Sequence, residues 1–322
     1  MKAVVYNEYG GPHVLRVVEI DQPAPRADEV LLHVRAASLN PRDWHMMRGS
    51  PRLLRVMSGL RAPKDAVKSA DVGGTVEAVG SEVTSLRPGD EVFGIARGFC
   101  AEFATASPGR LALKPGNATF AEAAALPVAG LTALQALRDR GQVRAGQSVL
   151  INGAAGGVGT FAVQIGHALG ATMTGVCSTR NIELVRSLGA AQVIDYTERS
   201  YVGEERRYDL VIDTVGNHSL TSHRRCLKEG GRYVGVGGSA DGSIGILLGL
   251  LHGPLLSAFG TQKFGAMLAR GNAADLATLA EMVATGKVRA VIDRSYPLER
   301  IAEAHAYVDT GRKRGNVAVT LP

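Results

Sequence analysis

Apolar and polar residues alternate in a series of short stretches along the first third of the chain. Alternation with a period of two is typical of half-buried β-strands, and turns rich in glycine and proline separate these stretches. The predicted strands cover residues 3–6, 14–18, 30–38, 72–79, 91–94, 102–105 and 111–114. The pattern up to about Asn117 therefore predicts a compact, mainly β domain.

The spacing of the apolar residues changes beyond Asn117. Thr119 and Glu122 have the spacing of a capping box, which predicts that a helix begins at Phe120. Beyond Arg144 the pattern predicts strands at 148–152, 172–177, 192–195, 210–214 and 232–237, and helices at 158–169, 181–188 and 218–227. Strands that alternate with helices of this length indicate a doubly wound parallel sheet.

The end of the chain combines both kinds of element. Its pattern predicts a helix at 273–284, a strand at 289–293, a helix at 298–309 and a strand at 315–320. The last strand has no local partner, so we expect it to return to the N-terminal domain. The predicted fold is an α/β protein with a mainly β domain, residues 1–119 completed by 262–322, and a doubly wound domain, residues 120–261.

Length and charge agree with this organisation. The chain has 322 residues, which corresponds to about two domains of roughly 150 residues each. Its 36 basic and 30 acidic residues give a net charge of +6, but the two kinds are interleaved along the chain. Dispersed charge is typical of a solvated surface, so we do not expect a nucleic-acid partner.

The cysteines indicate the redox compartment, and one uncharged segment bears on membrane insertion. Cys100, Cys177 and Cys226 are odd in number and far apart, which excludes a disulfide framework and predicts a reducing, cytoplasmic compartment. Residues 1–10 have no charged region followed by an apolar one, so we expect no secretory signal peptide. Residues 242–262 contain no Asp, Glu, Lys or Arg, but a histidine, a proline and five glycines interrupt them. We expect this segment to form a buried wall, a substrate pocket or a subunit interface and not to enter a membrane.

The most informative stretch joins a predicted strand to a predicted helix and reads VLINGAAGGVG, residues 149–159. Compared with the pattern G-x-G-x-x-G, Ala154 replaces the first glycine, while Gly156 and Gly159 are present. Gly156 lets the backbone approach a pyrophosphate, Gly159 permits close helix packing, and the helix start supplies N–H donors. A plain tight turn is the alternative. The flanking strands and helices favour a dinucleotide site that also includes Gly157 and Val158.

Five motifs, in order along the chain, resemble those of the medium-chain dehydrogenase/reductase superfamily and, within it, the zinc-free quinone oxidoreductase branch. They are AASLNPRDW at 36–44, DVGGTVEAVG at 71–80, RPGDEVFG at 87–94, AAGGVG at 154–159 and YPLERIAEAH at 296–305. The resemblance covers essentially the whole chain. It implies a GroES-like catalytic domain, completed by the C-terminal segment, together with a Rossmann domain.

The resemblance also bears on metal binding. Zinc-dependent relatives place Cys, His and Cys ligands where this chain has Asn40, Ala70 and Val128. These side chains cannot supply the thiolate or imidazole groups that zinc requires. The four-cysteine lobe of those relatives has no counterpart, and the eight histidines form no His-x-x-x-His pair. No metal site is predicted.

Two further residues are assigned by the resemblance. It implies that Asn40 lies beside the nicotinamide and the substrate carbonyl, where an uncharged amide can stabilise developing negative charge. A turn residue before Pro41 is the other reading. Thr132 is expected near the nicotinamide ribose, although a helical Thr bonded to its own backbone is equally consistent with the sequence. A tyrosine that relatives often carry after the Asn40 motif is missing from residues 48–52, so the proton donor is not identified.

The last predicted strand of the doubly wound sheet ends in residues with small side chains. Gly235, Val236 and Gly237 lie at the carboxyl edge of the sheet, where such sheets bind ligands. Their size is explained either by packing or by close approach of the nicotinamide carboxamide.

The residues after the second strand of the doubly wound sheet predict NADPH. An NAD site normally has a carboxylate about twenty residues beyond the glycine motif, but here none precedes Glu183. Ser178 and Thr179 can donate to a 2′-phosphate, and Arg180 can pair with it. A solvated position in the first turn of a helix is the alternative for Arg180. Tyr196 matches a family tyrosine that reaches the same phosphate.

These observations predict an NADPH-dependent enzyme that transfers hydride to a quinone or an α,β-unsaturated ketone or aldehyde. Without a metal Lewis acid, an unactivated alcohol is a poor substrate, whereas an enone delocalises the charge. A zinc-free alcohol or carbonyl dehydrogenase, and a weakly catalytic dinucleotide sensor or RNA-binding module, are the alternatives. We also expect a homodimer, because the free edge of a Rossmann sheet is an open pairing template.

Overall fold

The described residues of this computed structural model are 1–50, 55–56, 59–63, 69–98, 100–203, 205–236, 257 and 260–322. Gly237 and almost all of the uncharged segment 242–262 lie outside them. The chain forms two compact units: unit 1 is Met1–Leu131 with Gly271–Pro322, and unit 2 is Thr132–Arg270.

The unit boundaries differ from the predicted ones, which fall after residues 119 and 261. Helix Phe120–Ala124 belongs to unit 1, because it packs closely on the strand that contains Gly73. A Cβ atom on Gly73 would lie 2.7 Å from the Phe120 carbonyl oxygen. Glycine at this position therefore allows the helix backbone to contact the sheet.

Unit 1 is built on a closed antiparallel barrel. Its strands are β3 (Val30–Leu39), β4 (Ser69–Val79), β5 (Glu91–Arg97) and β6 (Phe103–Ala106). Each pairs with the next, and β6 pairs back with β3. The short strand β7 (Leu111–Leu113) pairs with β5, and β1 (Lys2–Val5) pairs with β2 (Arg16–Glu19).

The C-terminal segment completes unit 1. Strand β15 (Asn316–Thr320) pairs antiparallel with β3 and parallel with β14 (Ile292–Pro297). The predicted return of the last strand to the N-terminal domain is therefore confirmed. Leu298 and Ile301 from this segment are buried in the same core cluster as Leu32 of β3.

Unit 2 is a doubly wound parallel sheet. Its strands are β8 (Ser148–Asn152), β9 (Thr172–Cys177), β10 (Gln192–Asp195), β11 (Tyr208–Asp213), β12 (Leu227–Gly235) and β13 (Lys263–Ala266). Within the described residues their order is β10-β9-β8-β11-β12-β13, and all neighbouring pairs are parallel. The strand order reverses between β8 and β11, where doubly wound sheets bind ligands. The predicted fold class, GroES-like plus Rossmann, is confirmed.

The helices follow their predicted periodicity, with shifted ends. In chain order they are α1 (Pro41–Arg48), α2 (Phe120–Ala124), α3 (Pro127–Gln135), α4 (Gly157–Ala168), α5 (Ile182–Ser187), α6 (Leu220–Cys226), α7 (Ala273–Ala284) and α8 (Ile301–Asp309). The helix predicted from Phe120 onward is divided at Pro127, because proline lacks the N–H that a continuous helix needs. None of the described helices is long and apolar enough to cross a bilayer.

Two strand predictions are corrected, and one strand was missed. Strand β2 begins at Arg16 and not at 14, because Pro12–Val14 forms a 3₁₀ turn. The strand predicted at 289–293 is Ile292–Pro297, since pairing with β15 and not local alternation sets its register. Strand β13 was not predicted, because it is four residues long and only Phe264 in it is buried.

Candidate active site

The turn after β8 has a glycine at each position where the backbone is crowded. Gly153, directly after the strand, has φ +85°, and a Cβ atom there would collide with the Thr214 hydroxyl. Gly153 therefore takes the role of the first motif glycine that the sequence comparison assigned to Ala154. A Cβ on Gly159 would collide with the Gly153 carbonyl oxygen. One on Gly156 would lie 3.4 Å from the same oxygen, which is an ordinary contact distance.

This turn leaves helix α4 without a side-chain cap. Gly156 is the N-cap residue and makes no side-chain cap hydrogen bond. The N–H groups of Gly157, Val158 and Gly159 lie in the first helical turn, where no intrahelical acceptor exists. Ala154 is buried and its N–H donates to Val176 O at 3.0 Å, so it fixes the turn. The open amides and the helix dipole suit a pyrophosphate.

Parallel pairing of β9 and β10 brings the predicted phosphate-binding residues to one edge. Asp195 lies opposite Cys177, and Tyr196 N donates to Cys177 O at 3.1 Å. Ser178 and Tyr196 therefore follow neighbouring strand ends. The Tyr196 side chain is 61% exposed, and Arg180 is also exposed.

A carboxylate that the sequence analysis did not consider lies at this edge. Asp195 Oδ1 accepts from Thr197 N at 2.9 Å and from Thr197 Oγ1 at 2.7 Å. Hydrogen bonds from Thr179 and then from Thr197 hold the pKa of Asp195 below its ordinary value. Because Thr197 N and Thr197 Oγ1 both donate to Oδ1, that oxygen holds the local turn together and is not offered to a ribose hydroxyl.

Asp213 lies at the switch point of the sheet and was also missed. Its register partner on β8 is Asn152, and its partner on β12 is Gly235. Val236 N donates to Asp213 O at 3.0 Å, so the predicted residues Gly235 and Val236 lie beside it. The signal in the sequence is an acidic residue at the carboxyl end of the apolar stretch 208–213.

Thr132, the first residue of unit 2, lies in α3 and is buried. The structure therefore agrees with its helical assignment. Its role toward a cofactor stays a prediction.

In unit 1, three segments meet at the carboxylate of Asp71. Asn40 is the N-cap of α1 and its backbone N–H donates to Asp43 Oδ2 at 2.7 Å, as in a capping box. The Asn40 side-chain Nδ2 donates to Asp71 Oδ2 at 3.0 Å. Val128 N, at the start of α3, donates to the same oxygen at 2.8 Å. The positions that zinc-dependent relatives use are therefore close together in space.

The Asn40 amide is held in one orientation. One N–H of Nδ2 is bonded to Asp71, and the other faces Ser38 O at 3.4 Å, which is longer than an ordinary hydrogen bond. Asp71 is buried, and burial raises its pKa to about 8, although the bonds from Val128 and Asn40 lower it. No local signal in DVGGTVEAVG identifies Asp71, because its two donors lie 31 and 57 residues away in the chain.

The residues at these positions do not fit a zinc ion. They present an amide, a methyl group and an isopropyl group, none of which is a zinc ligand. Among the described residues, His, Cys, Asp and Glu form no group of three or more that could hold a metal.

Comparison with known proteins agrees with both units. Residues 26–136 match the alcohol dehydrogenase GroES-like domain, and residues 188–319 match the zinc-binding dehydrogenase family. The chain is 34% identical over 334 residues to the chloroplastic NADPH-dependent alkenal/one oxidoreductase of Arabidopsis thaliana, covering 99% of this chain and 79% of that protein. It is 32% identical to a chloroplast envelope quinone oxidoreductase homolog of Arabidopsis thaliana, covering 99% and 98%.

A solved structure shows the same arrangement of elements. The quinone oxidoreductase from Coxiella burnetii is 33% identical, with a TM-score of 0.87 over 100% of this chain and 99% of that one. Sequence, domain content and fold agree over the full length. The chain is an oxidoreductase that belongs to the medium-chain dehydrogenase/reductase superfamily, in its quinone oxidoreductase-like branch.

Proposed function

We propose that this oxidoreductase transfers hydride from NADPH to a quinone or an α,β-unsaturated ketone or aldehyde without a zinc ion. The observation that carries the proposal is the turn at residues 153–159, where glycines and uncapped helix amides form a cradle for a pyrophosphate at the switch point of a parallel sheet. The relatives named for alkenals, enones and quinones support the choice of acceptor.

The 2′-phosphate of NADPH is bound, in this proposal, by Ser178, Arg180 and Tyr196. Their places at the ends of β9 and β10 support it, because both strand ends emerge at one edge. Bound NADPH supplies the hydride. Gly235, Val236 and Thr132 would then line the nicotinamide half, as would Gly237, which lies outside the described residues.

Asn40 is the residue that we place against the substrate oxygen. Its N–H toward Ser38 O makes only a long contact of 3.4 Å, so a carbonyl oxygen that gains negative charge can compete for it. Asp71 holds the other N–H at 3.0 Å and keeps the amide in place. In an enone, hydride adds to the β-carbon and charge collects on the carbonyl oxygen, which explains why a neutral donor suffices without a metal. A proton from solvent completes the reduction.

Steady-state assays test the reaction. Purified protein is mixed with NADPH or NADH and with quinones, enones and matched saturated ketones, and oxidation of the dinucleotide is followed by absorbance. We expect turnover with enones or quinones, little with saturated ketones, and no loss of activity after treatment with a chelator. Turnover of saturated ketones alone, or of no acceptor, contradicts the proposal.

The cofactor preference is tested at Arg180. Arg180→Ala should raise the KM for NADPH by about 10- to 100-fold, because one or two charge-assisted bonds are lost, and should leave the KM for NADH unchanged. Arg186→Ala is the matched control, since Arg186 is an exposed arginine of the following helix that pairs with Glu183 at 2.9 Å. Equal effects on both cofactors would show that Arg180 does not read the phosphate.

We also propose a homodimer in the cytoplasm. Strand β13 pairs only with β12 among the described residues, and Leu268, just beyond it, is 77% exposed. Both features support edge-to-edge pairing of two sheets. A monomeric mass by light scattering at micromolar concentration contradicts the dimer. The three cysteines form no disulfide, which suits a reducing compartment, and cell fractionation tests the location.

A further inference from the structure

Asp213 is the centre of a buried hydrogen-bond cluster in unit 2. Its Oδ1 accepts from Val215 N at 3.0 Å, from Gly216 N at 2.9 Å and from Asn152 Nδ2 at 2.8 Å. Its Oδ2 accepts from His223 Nε2 at 3.2 Å and from Tyr233 Oη at 3.0 Å. The carboxylate, with no exposed surface, therefore has five donors.

The two oxygens serve different parts of the unit. Oδ2 is bonded to ring side chains of α6 and β12. Burial lowers the pKa of His223 to about 4, so the ring is neutral at pH 7 and donates its one N–H from Nε2. Burial also raises the pKa of Tyr233, which keeps its hydroxyl proton. Oδ1 faces the chain turn 214–217 and holds its backbone.

That turn borders the glycine turn. Thr214 N and Thr214 Oγ1 both donate to Asn152 O, at 3.1 and 2.8 Å. A Cβ atom on Gly153 would collide with the same hydroxyl. Asn152 Nδ2 also donates to Asn217 Oδ1 at 2.9 Å. Asp213 thus connects the carboxyl ends of β8 and β11 at the switch point.

We propose that Asp213 is a positioning residue for the nicotinamide half of the dinucleotide. Its Oδ1 fixes turn 214–217 against the glycine turn, and it contacts no reacting atom itself. The inference rests on the proposed function, because it assumes that NADPH binds at this edge. In a doubly wound sheet each half binds one mononucleotide, so the adenosine half on the β9–β10 side is independent of this turn.

Two probes separate these halves. NADPH contacts both, whereas adenosine 2′,5′-bisphosphate has no nicotinamide half and binds on the side of Ser178, Arg180 and Tyr196, with its 5′-phosphate at the adenosine end of the glycine turn. Calorimetric titration gives the Kd of each. Asp213→Leu leaves the donors of the turn without an acceptor, and it should raise the Kd for NADPH by about 10- to 100-fold while changing the Kd for the bisphosphate less than about twofold.

Asp213→Asn should restore binding to within about fivefold. An asparagine can turn its oxygen toward turn 214–217 and its NH₂ toward the rings. There His223 Nε2, in its other tautomer, and Tyr233 Oη can both accept. Tyr233→Phe is the matched control, because it removes one donor from Oδ2 and none from Oδ1, and it should leave both Kd values unchanged.

A variant outside the core covers the case in which Asp213→Leu does not fold. Asn217 is exposed, and Asn217→Ala removes only its bond to Asn152. It should raise the Kd for NADPH by about three- to tenfold and leave that for the bisphosphate unchanged. The inference is overturned if Asp213→Leu and Asn217→Ala, when folded, raise the Kd of both probes equally or of neither. It is also overturned if Tyr233→Phe raises the Kd for NADPH as much as these variants do. A wild-type chain that binds neither probe contradicts the proposed function itself.

Discussion

The two candidate sites each contain a buried carboxylate, but the two carboxylates are hydrogen-bonded differently. In unit 1, Asp71 accepts on one oxygen, from the Asn40 amide and from Val128 N. In unit 2, Asp213 accepts from five donors distributed over both oxygens, two of them backbone N–H groups.

The two carboxylates therefore differ in how many donors replace their hydration: two for Asp71 and five for Asp213. Asp71 has few donors to replace its lost hydration, so burial raises its pKa to about 8, and the group next to Asn40 can change charge near neutral pH. Two of the donors of Asp213 are N–H groups of turn 214–217, so the carboxylate holds that turn. Gly153 and Gly159 lack the Cβ atoms that would collide with neighbouring atoms. Changes in unit 1 should therefore alter turnover, and changes in unit 2 should alter cofactor binding or folding.

The largest effect is expected from a methyl group on a motif glycine. Gly159→Ala forces a Cβ against the Gly153 carbonyl oxygen, and it should lower the free energy of unfolding by about 3 kcal/mol, measured by urea denaturation. In Gly156→Ala the new Cβ meets that oxygen at 3.4 Å. This variant should fold normally and raise the KM for NADPH by about tenfold, because it fills the space of the pyrophosphate. Similar stability of the two variants would contradict the close packing of Gly159 against the Gly153 carbonyl oxygen.

The next effect concerns turnover. Asn40→Ala should lower kcat about 10- to 100-fold, because it removes the donor that we place at the substrate oxygen. The Kd for NADPH, measured by titration, should not change. If the affinity for NADPH falls as much as kcat, Asn40 contributes to cofactor binding. That result would contradict the expectation that changes in unit 1 alter turnover and not cofactor binding.

The two sites should also respond to pH in opposite directions. The pKa of Asp71 is raised from 3.8 to about 8 in the fold, so its contribution to stability is complete below about pH 4 and is lost as the pH rises to about 8. The stability advantage of wild type over Asp71→Asn should therefore shrink between pH 5 and pH 8, by up to about 1.4 kcal/mol per pH unit. Urea denaturation at several pH values measures it.

His223 provides the contrast in unit 2. Its pKa is lowered from 6.5 to about 4, so its contribution to stability is lost as the pH falls through that interval. The advantage of wild type over His223→Gln should shrink on acidification and stay constant above pH 7. A parallel response of the two variants would remove this distinction between the sites.

The smallest effect is expected at Tyr196. The side chain is 61% exposed, so Tyr196→Phe should raise the KM for NADPH only about two- to fivefold, the loss of one exposed hydrogen bond. The KM for NADH is the internal control and should not change. No change with NADPH would restrict phosphate recognition to Ser178 and Arg180.

Much of unit 2 follows from the sequence, because its signals are local. The glycine spacing at 153–159, the apolar face of α4 and the absence of a carboxylate after β9 all lie within short stretches. Periodicity therefore predicted the alternating elements, and the glycine spacing predicted the tight turn after β8. The register of β14 and the existence of β13 could not be predicted, since pairing with distant strands defines them.

The partners of the two buried carboxylates could not be predicted from the sequence. The chain itself determined the fold class, the glycine turn and Asn40 as a candidate residue, because each depends on neighbouring residues and on steric rules of the backbone. Only the tertiary structure decided that Asp71, 31 residues after Asn40, holds its amide, and that Asp213, 61 residues after Asn152, joins two strand ends. Hydrogen bonds between such distant residues depend on strand order and register, and no local pattern encodes them.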